Sequence, residues 1–174
     1  MGAGETVSLV AGTFDRLHVA HITLLYEAFK LGTRILIGVV ENGSQILEYK
    51  IGKPIEPYRV RVGSVRSVAE ILSKLMGGRV YEIIPIKGPY DIVLDRENID
   101  YIVVSEETFP RALKINLLRE KAGMNPLKIV VIPIIHSEDG RPVSSHRIRL
   151  GELNRYGDLI LNFEEIKEVR MGCV

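Results

Sequence analysis

Two histidines three residues apart close the stretch Ala11-Gly12-Thr13-Phe14-Asp15-Arg16-Leu17-His18-Val19-Ala20-His21. At that spacing His18 and His21 share one face of a helix's first turn and point at one place. Gly12 can bring its backbone close to a ligand, Thr13 offers a hydroxyl, and the free N–H groups of a helix start favour an anion. The chemistry that such a set suits is holding a phosphate. A metal bound by the two histidines and Asp15 is the weaker alternative, because neither a cysteine nor an H-E-x-x-H spacing accompanies them. No serine or cysteine stands in a nucleophile elbow, so covalent catalysis is disfavoured as well.

A second cationic set, Lys50, Lys53, Arg59 and Arg61, surrounds Gly52, Pro54 and Pro57 in the aperiodic segment Glu41 to Tyr58. It is either a solvated basic loop or a further phosphate contact. A third lies in Val143-Ser144-Ser145-His146-Arg147-Ile148-Arg149. A serine capping a short helix exposes amide donors there, and Arg147 and Arg149 add fixed positive charge suited to phosphate oxygens.

The elements that must position these residues follow from periodicity. The apolar run Thr6 to Val10 is a strand, and Leu24, Leu25, Ala28 and Phe29 recur at helical spacing up to Gly32. Arg34 to Val40 is a buried strand, parallel to the first across a helix. Val65, Val68, Ala69, Leu72 and Met76 form a helix ended by Gly77-Gly78. Val80 to Pro85 is a third strand broken by Pro85, and the turn Ile86 to Asp91 follows. Ile99 to Val104 is a fourth strand, with Thr108 the expected N-cap of the next helix. Lys128 to Pro133 is the fifth, and Glu138-Asp139-Gly140 makes a polar turn. The expected fold class is α/β, Rossmann-like, a five-stranded parallel sheet with helices on both faces and the ligand crevice at the carboxyl edge of the first strand.

The chain of 174 residues, 46% of them hydrophobic, is expected to form one domain spanning 1–174, with 158–174 an extension packed on the body or on a neighbouring subunit. A homo-oligomer is compatible with that extension. The 23 basic and 22 acidic residues nearly cancel, which leaves no electrostatic footprint for nucleic acid or a membrane surface and favours a small-molecule ligand. The single cysteine, Cys173, rules out an intrachain disulfide and a cysteine metal cage. No signal-peptide pattern and no apolar run near the roughly 20 residues that span a bilayer is visible, so a soluble cytoplasmic protein is expected.

The leading stretch resembles the G-T-F-D-x-x-H-x-G-H motif of the nucleotidyltransferase superfamily, with Ala20 where the family has glycine. Val143 to Arg149 is similar to the same superfamily's I-S-S-T-x-I-R signature, with Val143 for isoleucine and His146 for threonine. Val104-Ser105-Glu106-Glu107-Thr108 with Ile115-Asn116-x-x-Arg119, and Lys53 to Arg61 around Pro54-Ile55-Glu56-Pro57-Tyr58, resemble the archaeal-type phosphopantetheine adenylyltransferases and the matching domain of animal coenzyme A synthase. The likeness covers about residues 7 to 152. By local sequence alone, Ser105 to Thr108 is an ordinary helix start and Ser144 to Arg149 an ordinary capped helix.

The resemblance implies transfer of AMP from ATP to 4′-phosphopantetheine, giving dephospho-coenzyme A and pyrophosphate, with magnesium accompanying ATP. It implies that Thr13 and His18 act on the reacting phosphate. Gly12, Phe14, His21, Ser105, Glu106, Ser144, Ser145, Arg147 and Arg149 would then bind ATP, and Lys53, Arg61, Lys87, Tyr90, Asn116 and Arg119 the acceptor. It assigns no metal-ligating side chain. Another small-molecule nucleotidyltransferase, a cytidylyltransferase or a nicotinamide mononucleotide adenylyltransferase, shares the first and last motifs. A non-catalytic nucleotide-binding homologue is the more distant alternative, for which Ala20 is the motivating residue.

Overall fold

The computed structural model describes residues 4–44, 47, 54–88 and 90–160. Lys50, Lys53 and residues 161–174 of the expected C-terminal extension lie outside that set. The chain runs β1 (Val7–Gly12), α1 (Val19–Leu31), β2 (Arg34–Val40), α2 (Tyr58–Leu75), β3 (Val80–Ile86), α3 (Asp91–Asp95), β4 (Tyr101–Ser105), α4 (Phe109–Lys121), β5 (Lys128–Ile132) and α5 (Ser145–Leu150). The five strands form one sheet in the order β3-β2-β1-β4-β5. Every adjacent pair is parallel.

Alternate strand residues feed two separate cores. Val10, Ile35, Ile37 and Val103 pack with Leu25 and Phe29 of α1 and Val65, Ala69 and Leu72 of α2. Leu9, Leu36, Ile102 and Val104 pack on the other face with Ile92 and Val93 of α3 and Ala112 and Ile115 of α4. Helices therefore cover both faces, and strands buried on both sides read as the continuous apolar runs seen in the sequence. The order places β1 beside β2 on one side and β4 on the other. Connections thus leave in opposite directions from β1 and β4, and a crevice opens outside their carboxyl ends.

Helix α1 stops at Gly32, whose N–H reaches the Ala28 carbonyl at 3.0 Å. A Cβ at Gly32 would lie 2.7 Å from the Arg34 carbonyl oxygen and closer still to Ser8 Oγ, so glycine is demanded by packing against β1. Two expectations need adjustment, and one element was not expected. Pro85 does not break the third strand, which continues to Ile86 paired in register with Val40. The reason is position: β3 is an edge strand, where a missing N–H is tolerated. Thr108 occupies the N-cap position of α4, yet its side chain makes no capping bond and instead accepts from the Ser105 N–H at 3.1 Å. The five-residue α3 was not visible as a helix in the sequence.

Candidate active site

The turn after β1 is held in an unusual backbone shape. Phe14 and Arg16 are both left-handed, with φ of 53° and 49°, although neither is glycine. Such residues cost of order 1–3 kcal/mol each and persist only where surrounding bonds over-determine them. The bonds are present. Phe14 is fully buried, Arg61 donates to the Thr13 carbonyl at 2.7 Å, and the Arg16 N–H donates to Glu56 Oε2 at 2.9 Å. Asp15, also fully buried, accepts the Glu56 N–H at 2.8 Å and pairs with Arg149. Its carbonyl accepts the Ser145 hydroxyl at 2.8 Å. The first and last motifs are thereby tied together.

His18 is the N-cap of α1 and His21 lies in its first turn. Their rings stack with centroids 3.9 Å apart and planes at 29°, and Phe14 meets His21 at 5.3 Å. His18 Nε2 is 3.4 Å from Ser145 Oγ, while Nδ1 is buried with no hydrogen-bond partner among the described residues. Burial pushes the His18 pKa down from 6.5 to about 4, against an opposing pull from Asp15. At neutral pH the imidazole is therefore uncharged and can donate one N–H to a ligand oxygen.

Ser144 caps α5 by accepting the Arg147 N–H at 3.3 Å. The two arginines of this helix go separate ways. Arg149 borders the crevice beside Asp15, and its Nε is buried without a partner among the described residues. Arg147 turns inward, to Asp139 at 2.6 Å, Glu152 at 2.8 Å and Ser137 Oγ at 2.7 Å. Two carboxylates neutralise it and raise its pKa, and it does not border the crevice. Its expected contact with the triphosphate gives way to a clamp on the segment before and after α5.

The crevice has a volume of about 1060 Å³ and is bordered by Gly12, Thr13, Phe14, His18, His21, Ser105, Ser144, Ser145 and Arg149. Ala20 borders it too, with an ordinary helical backbone. Glu106 does not, its carboxylate accepting instead from the Ile134 N–H at 3.4 Å. A smaller cavity of about 90 Å³, walled by Ile86, Tyr90, Ile92, Val93, Ile102 and Ile115, adjoins it and shares Gly12, Val104 and Arg111 with it. Lys87 is exposed and borders neither space.

Three residues expected at the acceptor are spent inside the fold. Arg61, fully buried, donates to the carbonyls of Thr13, Val40 and Glu56 at 2.7, 2.7 and 2.9 Å and to Asn42 Oδ1 at 3.1 Å. Arg119, also fully buried, donates to the carbonyls of Asn125, Val93, Arg96 and Glu97. Asn116 exchanges both of its amide groups with the Leu127 backbone, at 2.9 and 2.8 Å. None of the three borders the crevice or the smaller cavity. Conversely, Arg111, Glu107 and His146 border the crevice without having been expected there. For Arg111 the available signal was its place three residues after Thr108 on one helix face.

The cytidylyltransferase-like family model matches residues 9–151. A phosphopantetheine adenylyltransferase of Methanopyrus kandleri is 47% identical over 146 residues, which cover 84% of this chain and 89% of that protein. The phosphopantetheine adenylyltransferase of Pyrococcus horikoshii is 37% identical over 150 residues, 86% of this chain and 92% of the relative. Among solved structures, a protein of unknown function from Archaeoglobus fulgidus superposes with a TM-score of 0.60 at 35% identity, covering 73% of this chain and 88% of that one.

Proposed function

The chain belongs to the cytidylyltransferase-like family, and on that premise we propose that it transfers the adenylyl group of ATP to 4′-phosphopantetheine, releasing pyrophosphate and dephospho-coenzyme A. The observation that carries the reading is the buried, uncharged His18 facing Ser145 at the mouth of the β1/β4 crevice. In this reaction an oxygen of the acceptor phosphate forms a bond to the α-phosphorus of ATP, and the bond from that phosphorus to the bridging oxygen of the β-phosphate breaks. Pyrophosphate leaves with the electron pair. Neither step needs an enzyme nucleophile, so positioning and charge stabilisation are the whole task.

Thr13 and the single N–H of neutral His18 donate to the oxygens of the five-coordinate phosphorus. The proton His18 donates is on Nε2, the nitrogen that faces Ser145 Oγ, since Nδ1 has no described partner. Arg149, Ser144 and Ser145 face the departing pyrophosphate across the same crevice. The adenine lies on the His21 side, toward Ser105 at the end of β4.

Magnesium would accompany ATP and supply charge neutralisation to its phosphates. Among the described residues no three His, Cys, Asp or Glu side chains converge to hold a metal, and Asp15, the carboxylate of the leading motif, is already bound to Arg149 and the Glu56 N–H. No helix among the described residues is long and apolar enough to cross a membrane. A cytoplasmic location is the reading consistent with ATP as substrate. The test is direct: purified protein with ATP, magnesium and 4′-phosphopantetheine should release pyrophosphate and form dephospho-coenzyme A. Turnover of nicotinamide mononucleotide or of a CTP-dependent acceptor, with none of phosphopantetheine, would overturn the reading.

A further inference from the structure

Arg61 and Arg119, bonded inside the fold, are withdrawn from the set of described cations that could meet the acceptor phosphate. A dianion brought beside the triphosphate of ATP needs one, since like charges at close range repel strongly in a partly dry site. We propose that Arg111 fills this place and is the residue that anchors the acceptor's phosphate.

Arg111 lies in the first turn of α4, its backbone N–H bonded to the Thr108 carbonyl at 3.0 Å. Its guanidinium makes no hydrogen bond or ion pair among the described residues, in contrast to Arg147 and Arg149, which are paired with carboxylates. It borders both the large crevice and the small side cavity, and is the one cation among the described residues that borders the latter. Lys114, the nearest alternative on α4, lies 5.6 Å over the Tyr90 ring and borders neither space.

The walls of the side cavity decide which substrate arrives there. Ile86, Ile92, Val93 and Ile115 suit an uncharged arm, and the one acidic side chain present, Asp91, is taken up by the N–H groups of Gly88 at 2.6 Å and Lys87 at 3.3 Å. A triphosphate has no place among those walls. A molecule with an uncharged arm and a phosphate at one end does, and its phosphate then emerges at the junction beside Arg111 and Gly12. Glu107 also borders the crevice and opposes an anion, so the guanidinium must offset it. The planar fork of arginine meets two phosphate oxygens at once, which a lysine cannot do.

This inference rests on the adenylyl-transfer reading, and the experiment separates the two. Binding of 4′-phosphopantetheine and of pantetheine, which lacks the phosphate, is measured by calorimetry on wild type, Arg111→Gln and Arg111→Lys, alongside steady-state kinetics with each substrate varied. Wild type should prefer the phosphorylated ligand, and Arg111→Gln should erase most of that preference and raise the KM for phosphopantetheine by about tenfold or more while leaving the KM for ATP within about twofold. Arg111→Lys should recover only part of the loss. An unchanged preference in Arg111→Gln, or a rise confined to the KM for ATP, would overturn the assignment of Arg111 while leaving adenylyl transfer standing. A wild-type protein that neither binds nor adenylylates phosphopantetheine would overturn both.

Discussion

His18 Nε2 and Ser145 Oγ lie 3.4 Å apart although 127 residues separate them along the chain. The contact brings the start of α1 against the start of α5, so the imidazole of the leading motif and the serines of the last one occupy one corner. A hydroxyl that already donates to the Asp15 carbonyl at 2.8 Å has its lone pairs free toward the ring. The tautomer with the proton on Nε2 is therefore supported before any ligand arrives, and substrate competes with Ser145 for that proton.

Replacing the imidazole should cost rate far more than fold. His18→Ala is expected to lower kcat by roughly 10²-fold or more, the usual loss for one preorganised donor to transition-state charge. Circular dichroism and thermal melting should show a folded protein. Near-full kcat in a folded variant would make His18 structural.

The low pKa of His18 also predicts how stability depends on acidity. Its value is about 4 in the folded protein against 6.5 as the ordinary value, so the unfolded chain binds more protons between those limits. Stability from this group is full above pH 6.5 and is lost as pH falls toward 4, by an amount of order 3 kcal/mol. Urea midpoints of the ligand-free protein across that window should fall more steeply for wild type than for His18→Gln. Parallel curves would show that burial does not hold the ring neutral.

Arg119 should behave as part of the scaffold. Arg119→Met removes a charged donor set from four carbonyls and is expected to destabilise by about 2–4 kcal/mol, while the KM for phosphopantetheine stays within about twofold. Chemical denaturation and steady-state kinetics on the same preparation check both. A stable variant with a large KM defect would return Arg119 to the acceptor site.

Ala20 occupies a helical position bordering the crevice, where its methyl group takes up room that the motif glycine would leave. Ala20→Gly should lower stability by up to about 1 kcal/mol, since alanine is the better helix former, and change the KM for ATP only modestly. Calorimetry with ATP decides the matter. No binding to wild type together with binding to the glycine variant would mean that the methyl group blocks the site.

Much of the architecture was legible because burial leaves a mark in composition: Arg34 to Val40 reads as a strand buried on both faces, and it is one. The His18 and His21 pairing followed from a spacing of three. The inward placement of Arg61, Asn116 and Arg119 was hidden for a shared physical reason. A sequence shows that a side chain carries donors, but not which backbone carbonyls the fold will leave short of them, and loops ending β1, β2 and α3 left several. The left-handed backbone at Phe14 and Arg16 was equally hidden, since neither residue type announces it.

Pro85 bears on how the molecule behaves at high concentration. The outer rim of β3 would otherwise offer a run of free backbone groups on which another chain's strand could align and grow into a fibre. Proline withdraws one donor from that template. One residue before the middle of β3, Glu82 holds Arg34 and Arg96 at 3.2 and 2.9 Å, setting a charged knot on the same strand. The β3 side of the sheet is thus guarded twice against cross-β growth, and Pro85→Val, which restores the donor and adds a β-branched side chain, should shorten the lag before thioflavin-positive aggregates form on heating.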